Sequence, residues 1–247
     1  MNPRRREILK LVSRDNKITV SELADRFNVS AVTIRQDLDF LEHEGFLKRI
    51  HGGVISIDSD DISSRLAVNY ESKIRIARKA SSFVRSGETI LIEGGSTNTI
   101  LAKEVAKKEG ITVITPNIFI TREFRKSRDN NVILLGGIYQ KESESLIGSM
   151  TKSCIDSMNF RKAFFGIDGF TIETGFTSKD MMRAEIAAYI VQKSEEAFVL
   201  TDSSKFGRSE LIKLFDVEDV QYLITDEGIP QNERSYLEEK GMHVIIA

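Results

Sequence analysis

The N-terminal part of this chain takes its fold from the stretch Ser30-Ala31-Val32-Thr33-Ile34-Arg35-Gln36-Asp37-Leu38. Ser30 is a favourable helix N-cap, and apolar residues recur at positions 34, 38 and 41, which form one stripe of an α-helix. The opposite face carries short, polar or cationic side chains that suit base edges and phosphates, namely Val32, Thr33, Arg35 and Gln36. An ordinary amphipathic surface helix shows the same pattern, so the flanking sequence has to decide between the two.

Asp37 is the residue of this helix that fits DNA binding least well. It lies near the apolar stripe, and a carboxylate that faced DNA would repel the phosphates. We therefore expect Asp37 to turn inward and to pair with a cation or with a backbone N–H.

A second short helix is predicted directly before this stretch. Thr19-Val20-Ser21-Glu22 matches the capping box, in which a Thr caps a helix and a Glu three residues later reaches back to it. Asn28 tolerates the left-handed conformation that ends such a helix, and the following cap is only two residues further on. With a first helix at residues 4–11, the pattern predicts a helix-turn-helix whose last helix ends near Glu44, where Gly45 stops it.

Two short β-prone runs follow, at residues 46–50 and 54–57, around the turn His51-Gly52-Gly53. A hairpin after a recognition helix is a wing, which meets phosphates or the minor groove. The DNA-contacting residues expected here are Lys48, Arg49, His51 and Gly52. A solvated basic hairpin is the alternative, but the capped turn, the amphipathic helix and the hairpin together predict a winged helix-turn-helix that binds double-stranded DNA, over residues 1–57.

Composition limits the other possibilities. The 247 residues are 40% hydrophobic and 29% charged with a net charge of −2, so DNA binding has to be local. Residues 1–57 hold 10 of the 35 basic and 8 of the 37 acidic residues, a basic head on a more acidic body. One cysteine and three histidines match no disulfide or zinc spacing. No apolar run reaches the ~18 residues of a membrane helix, so we expect a cytoplasmic protein without a metal or cofactor.

The remainder of the chain is predicted to be an α/β domain. Residues 58–70 are polar and acidic and are interpreted as a linker, and residues 71–85 as a helix leading into a domain at 71–247. Apolar strands separated by helices indicate a parallel sheet covered on both faces. The predicted strands are Thr89–Ile92, Thr112–Thr115, Val132–Leu135, Ala163–Ile167, Ala197–Thr201, Tyr222–Thr225 and Val244–Ile246. The predicted helices between them include Ile100–Lys107, Lys152–Met158, Met181–Lys193 and Glu233–Lys240.

The unusual residues of this domain follow the predicted strands, which is where open parallel sheets bind ligands. Gly94-Gly95-Ser96-Thr97-Asn98 enters a helix, and its glycines, hydroxyls and N–H groups suit an anion. A phosphate cradle, a cation and carboxylates for hydroxyl groups describe a sugar-phosphate pocket. The residues expected to bind this effector are Gly95, Ser96, Thr97, Asn98, Gly137, Lys141, Asp168, Asp202 and Lys205. Each loop alone is also typical of an ordinary turn.

Both halves resemble the DeoR family of bacterial transcription regulators. Its helix-turn-helix signature is similar to Arg4, Ile8 and Val12, then Ser30-x-x-Thr33-Ile34-Arg35-x-Asp37-Leu38, then His51-Gly52-Gly53. Its sensor domain, similar in fold to ribose-phosphate isomerases, is matched by Gly95-Ser96-Thr97, Leu134-Leu135-Gly136-Gly137, Phe165-Gly166-Ile167-Asp168-Gly169 and Asp202-Ser203-Ser204-Lys205-Phe206. Two residues depart from the family pattern. Gln36 replaces the more usual Arg, Lys or Asn, which affects the operator sequence, and Glu93 replaces Asp, which affects the fit of an effector.

The resemblance implies a repressor of carbohydrate-metabolism genes that a phosphorylated sugar or related metabolite releases from its operator, and a homo-oligomer, dimer or tetramer. Coupling between the two domains is expected in the linker Asp58–Asn69 and the helix after it. The alternative is a sugar-phosphate isomerase-type enzyme with a DNA-binding head, in which Glu93, Asp168, Asp202 or Lys205 would supply acid–base groups. No nucleophile–base constellation stands out in the sequence, so we expect no catalytic residues.

Overall fold

The computed structural model describes residues 2–15, 17–43, 46–50, 52–55, 65–66 and 68–247. By its internal contacts the chain divides into two compact units, Met1–Tyr70 and Glu71–Ala247. We refer to them as the head and the sensor domain. Most of the predicted linker at 58–70 lies outside the described residues.

The head is a winged helix-turn-helix, as the sequence predicts. Its helices are α1 (Pro3–Asp15), α2 (Val20–Phe27) and α3 (Ala31–His43). Its strands are β1 (Lys17–Thr19), β2 (Lys48–Ile50) and β3 (Gly53–Ile55), which form an antiparallel sheet in the order β1-β3-β2. The apolar stripe of α3 is fully buried and packs in the head core with residues of α1 and α2.

Local hydrogen bonds set the helix ends where the sequence predicts them. The Thr19 hydroxyl accepts the Glu22 N–H at 3.2 Å, and the Glu22 carboxylate accepts the Thr19 N–H at 2.7 Å, so the capping box is confirmed. Asn28 has φ 51° and ψ 49°, the left-handed conformation expected after α2. The Ser30 hydroxyl then accepts the Thr33 N–H at 3.2 Å and caps α3.

The sensor domain is built on a seven-stranded, wholly parallel sheet, so the predicted α/β architecture is confirmed. Its strands, in chain order, are β4 (Thr89–Ile92), β5 (Thr112–Thr115), β6 (Asn131–Leu134), β9 (Lys162–Phe165), β12 (Glu196–Leu200), β14 (Tyr222–Thr225) and β15 (His243–Ile246). Their spatial order is β15-β14-β12-β9-β4-β5-β6. The chain builds outward from β4 on one side and then returns to build outward from β9 on the other. The crevice between β4 and β9 is therefore the topological switch point, where parallel sheets bind ligands.

Helices separate most of the strands. They are α4 (Tyr70–Ser81), α5 (Ser96–Val105), α6 (Ile118–Arg122), α7 (Ser149–Asp156), α8 (Met181–Lys193) and α9 (Gln231–Glu239). Within the described ranges, no helix is long and apolar enough to cross a lipid bilayer.

The structure also contains two small antiparallel sheets that the sequence pattern did not predict. One is the hairpin of β7 (Ile138–Gln140) and β8 (Ser145–Ile147). The other joins β10 (Gly169–Thr171), β11 (Gly175–Ser178) and β13 (Ile212–Lys213). These strands have two to four residues each, which is too short for a periodic hydrophobic pattern to appear. Of these strands, β10 begins directly after the loop that follows β9.

Candidate DNA-binding face and ligand-binding edge

The solvent face of α3 carries the side chains that the sequence selects for base contacts. Val32 is 60% exposed although it is apolar, and Arg35 and Gln36 are exposed beside it. Thr33 is half-buried, and its hydroxyl lies 2.9 Å from the Ser30 hydroxyl. The face that would enter a major groove is therefore open to solvent, with a bidentate donor–acceptor group in Gln36 and a cation in Arg35.

Asp37 turns inward and pairs with cations, as predicted. Its carboxylate accepts the Nε–H of Arg4 and, at 2.7 Å, the Nε–H of Arg5, both from the first turn of α1. Burial by itself raises the pKa of Asp37, but the hydrogen bonds and charges of the two arginines outweigh it and lower the pKa below its ordinary value. The carboxylate stays ionised and ties α1 to α3.

Arg49 is the cationic residue of the wing whose side chain the structure describes. The Arg49 guanidinium forms an ion pair with Asp39 of α3, and the Arg49 N–H donates to Glu42 at 3.0 Å. Gly53 is required sterically, because a Cβ there would lie 2.4 Å from the carbonyl oxygen of Ile18 in the neighbouring strand. Gly52 is exposed with φ 79°. His51 and the side chain of Lys48 lie outside the described part of the structure, so their predicted roles stay predictions.

In the sensor domain, the loops after β4 and β9 meet at the switch point. The Asn98 side-chain amide donates to the carbonyl of Glu93 at 2.9 Å and to that of Phe164 at 3.2 Å, and it thereby ties the loop after β4 to the end of β9. Gly95 has φ 138°, and a Cβ on it would lie 4.0 Å from the Cα of Gly166. A Cβ would have room there, so it is the positive φ that favours glycine at this position. The start of α5 lies beside the end of β9.

The N-terminus of α5 has no side-chain cap. Its N-cap residue is Gly95, which offers no oxygen to the first N–H groups of the helix. Ser96 is half-buried in the first turn, followed by the buried Thr97 and Asn98. Because the N–H groups of a first turn attract anions, three of the predicted phosphate-cradle residues lie where a phosphate is favoured.

Carboxylates follow the next strands along the same edge. Asp168, after β9, accepts the Ser178 hydroxyl and the Lys179 N–H, each at 3.2 Å. Asp202, after β12, accepts the Ser204 N–H at 3.1 Å and thereby starts the short turn that carries Lys205. Lys205 is half-buried as a residue, and its ammonium takes part in none of the hydrogen bonds and ion pairs found among the residues that the structure describes.

The structure adds Arg183, which is not among the residues predicted from the sequence. It lies in the first turn of α8, and its Nη2 donates to the Glu93 carboxylate at 3.2 Å, with the two side chains 12% and 5% exposed. Burial disfavours the charged guanidinium, but the carboxylate of Glu93, followed by those of Asp168 and Asp180, raises the pKa of Arg183. The available signal was a cation in the first turn of a helix, where the helix dipole disfavours it.

The remaining two predicted effector residues belong to the β7–β8 hairpin. A Cβ on Gly137 would lie 2.1 Å from the Thr151 hydroxyl, so this glycine is needed for packing against α7. Lys141 is exposed in the turn of the hairpin. The neighbouring Gln140 amide donates to Asp180, the N-cap of α8, which places the hairpin next to the helix that carries Arg183.

No group of three or more His, Cys, Asp or Glu residues that could hold a metal ion occurs among the described residues. The elements at the switch point are a helix N-terminus, the Arg183–Glu93 pair with little solvent exposure, and carboxylates that follow adjacent strands. This arrangement can bind a ligand that combines an anionic group with hydroxyl groups.

A winged helix-turn-helix followed in the chain by a parallel α/β domain is an architecture typical of DNA-binding transcription regulators. Residues 4–60 match the DeoR-like helix-turn-helix domain, and residues 68–227 match the DeoR C-terminal sensor domain. The chain therefore belongs to the DeoR family of transcriptional regulators.

Relatives match over the full length. The chain is 32% identical over 248 residues to the HTH-type transcriptional regulator GolR of Listeria innocua, covering 99% of this chain and 98% of that protein. It is 33% identical over 256 residues to the lactose phosphotransferase system repressor of Lactococcus lactis subsp. lactis, covering 100% and 98%. A D-ribose-5-phosphate isomerase in complex with phospho-erythronic acid aligns at 14% identity with a TM-score of 0.42, covering 56% of this chain and 54% of that one. This last likeness is too distant to identify a function.

Proposed function

We propose that this regulator is a repressor of carbohydrate-metabolism genes and that a phosphorylated sugar releases it from its operator. The observation that carries the proposal is the meeting, at the switch point, of the uncapped N-terminus of α5 with the Arg183–Glu93 pair. The names of relatives that act on sugar systems, such as the lactose phosphotransferase system repressor, support the same class of effector.

The charges suggest how the effector lies. The phosphate takes the N-terminus of α5, with Gly95, Ser96, Thr97 and Asn98 as its cradle and Lys205 as its cation. Three carboxylates surround Arg183, so that end of the site is net negative and takes hydroxyl groups instead. Asp168 and Asp202 accept these hydroxyls. Gly137 and Lys141 complete the rim from the hairpin side.

The head binds double-stranded DNA through α3 and the wing. We assign base contacts to Val32, Thr33, Arg35 and Gln36, with Ser30 at the helix start. Phosphate or minor-groove contacts are assigned to the wing residues Lys48, Arg49, His51 and Gly52. One head offers too few contacts for specific binding, so the protein acts as a homo-oligomer on paired half-sites.

Release from DNA requires that the effector binds the DNA-competent and the DNA-incompetent states with different affinities. Turnover is not part of the function that we propose. Incubation with pentose and hexose phosphates therefore leaves them unchanged. Conversion that disappears in Asp168→Ala would instead identify an isomerase-type enzyme.

The first experiment is a thermal-shift screen of the full chain against sugar phosphates, with each free sugar and inorganic phosphate as controls. An effector at ~100 times its Kd adds about 2.7 kcal/mol, which is roughly 5–10 °C for a domain of this size. A shift by one phosphorylated sugar alone supports the proposal. Equal shifts by the free sugar would remove the role of the phosphate cradle.

The second experiment uses a duplex selected in vitro from a random pool by the protein itself. Adding the effector identified in the screen should weaken binding to this duplex. Unchanged affinity at saturating effector would refute release as the mechanism, while DNA binding itself would stand.

A further inference from the structure

Asp37 lies on one flank of the recognition helix, between its buried stripe and its solvent face. It follows Thr33 by four residues, so it lies one turn further along the same side. Asp37 itself is only 2% exposed. The groups that surround its carboxylate therefore form this flank of α3.

Those groups are two arginines held in a particular way. Asp37 accepts the Nε–H of Arg4 with one oxygen and the Nε–H of Arg5 with the other, the latter at 2.7 Å. The Arg5 guanidinium also lies over the Phe40 ring, 3.9 Å from its centroid. The Arg4 and Arg5 side chains remain 30% and 23% exposed. Within the described residues, no further acceptor takes their terminal Nη groups.

The dimensions of B-DNA place phosphates beside this flank. A helix with its side chains is about 10–12 Å across, and the major groove is about 12 Å wide, so the flanks of a bound recognition helix face the two phosphate walls. An unpaired Asp37 would repel the nearer wall. Two guanidinium groups on one carboxylate reverse the sign and leave the flank with a charge of +1.

We propose that Asp37 is a positioning residue for DNA binding. It accepts hydrogen bonds from the Nε–H groups of Arg4 and Arg5 and so orients their Nη groups to donate to backbone phosphates beside α3. A guanidinium can bond a carboxylate through one edge and a phosphate through the other, which a lysine ammonium does not do with the same geometry. The proposal rests on DNA binding by the head and is independent of the effector.

If Asp37 served only to hold α1 against α3, it would make the same contacts. The test therefore needs a measured quantity that does not change when only the packing of the two helices changes. That quantity is the salt dependence of DNA affinity, in which each phosphate contact contributes a slope of about −0.9 in log K against log salt. Losing two contacts per head makes the slope about 1.8 less negative. If the variant and the wild type bind equally at 1 M salt, the variant therefore binds roughly 60-fold more weakly at 0.1 M salt.

The decisive variant is Asp37→Asn in the full chain. Its affinity for the in vitro selected duplex is measured by fluorescence anisotropy from roughly 0.05 to roughly 0.3 M KCl, a range over which such slopes are resolved. The proposal predicts weaker binding and a shallower slope, although the substitution removes a negative charge near DNA. Asp25→Asn is the matched control, because Asp25 is an exposed residue of α2. It should bind as well as the wild type or slightly better.

The second variant combines Arg4→Lys with Arg5→Lys and is needed if Asp37→Asn does not fold. It keeps every charge and keeps Asp37 paired with a cation. The proposal predicts the same loss of slope. Tighter binding by Asp37→Asn, or an unchanged slope in the lysine variant, would overturn it. If the wild type selects no duplex, DNA binding by the head fails and this proposal fails with it. A wild type that binds DNA without responding to any effector leaves the proposal intact.

Discussion

Removing the Arg183 side chain should strongly destabilise the sensor domain. The Arg183 side chain is 12% exposed and that of Glu93 only 5%, and the Arg183 Nη2 lies 3.2 Å from the Glu93 carboxylate. Asp168 and Asp180 also stabilise the guanidinium charge. Arg183→Met keeps most of the apolar stem but leaves the Glu93 carboxylate buried among like charges. The perturbation therefore tests whether the switch-point edge depends on this one cation.

The expected magnitude follows from burial. Breaking a buried ion pair from one side costs about 3–5 kcal/mol, because an uncompensated charge stays behind. For a domain of about 150–250 residues, each kcal/mol lowers Tm by roughly 2–4 °C, so a loss of roughly 6–20 °C is expected. The measurement is differential scanning calorimetry of the full chain, following the transition of the sensor domain.

Arg161→Met is the matched control. Arg161 also pairs with two carboxylates, Glu195 at 2.8 Å and Glu196 at 3.1 Å, but its side chain is 70% exposed. Exposed pairs contribute about 0–1 kcal/mol, so this variant should change Tm little. Arg183→Met with Glu93→Gln should be more stable than Arg183→Met alone, since it also removes the negative charge that Arg183 had balanced. Equal Tm shifts in Arg183→Met and Arg161→Met would refute the reasoning.

Three further predictions address the two functions and the pH dependence of stability. Lys205→Ala should weaken effector binding by about 1.5–3 kcal/mol, the contribution of a charged hydrogen bond, and leave DNA affinity unchanged in titration experiments; loss of DNA binding by a folded variant would contradict this division. Arg35→Ala should weaken binding to the selected duplex by about 1–3 kcal/mol without altering the thermal shift caused by effector. Glu88 lies in a partly desolvated site, which raises its pKa, but hydrogen bonds from Lys162 and from the Arg85 N–H outweigh this and lower the pKa below 4.5. Its stabilising contribution is therefore present above pH 4.5 and is lost as the pH falls through the lowered value, so the Tm gap between wild type and Glu88→Gln should close in acid and stay open at neutral pH.

Elements with local signals were predicted closely. The predicted bounds of Thr89–Ile92, Thr112–Thr115, Tyr222–Thr225 and Met181–Lys193 agree with the structure residue for residue. Others shifted by one to four residues at an end, as with Ser96–Val105, because helix ends depend on caps and neighbouring chains rather than on apolar spacing.

The sequence indicates some, but not all, of the residues that the structure brings together at the switch point. The loops with Gly95, Asp168 and Asp202 follow adjacent strands, as expected from a parallel sheet. Arg183 was missed because it reaches Glu93 across 90 positions of sequence, and its place in the first turn of a helix does not identify that partner. Whether these residues bind an effector stays a prediction.

What the sequence determines by itself is local and periodic. It determines the capped turn at Thr19–Asn28, the apolar stripe of α3 and the alternation of strands with helices, because backbone hydrogen bonding and side-chain spacing act within a few residues. Only the tertiary structure decides that β4 lies beside β9, that one buried arginine lies at the switch point, and that Asp37 holds Arg4 and Arg5. Seven strands of similar apolar composition carry no local mark of their neighbours. Their order is set by how the whole core packs and by which buried charges find partners.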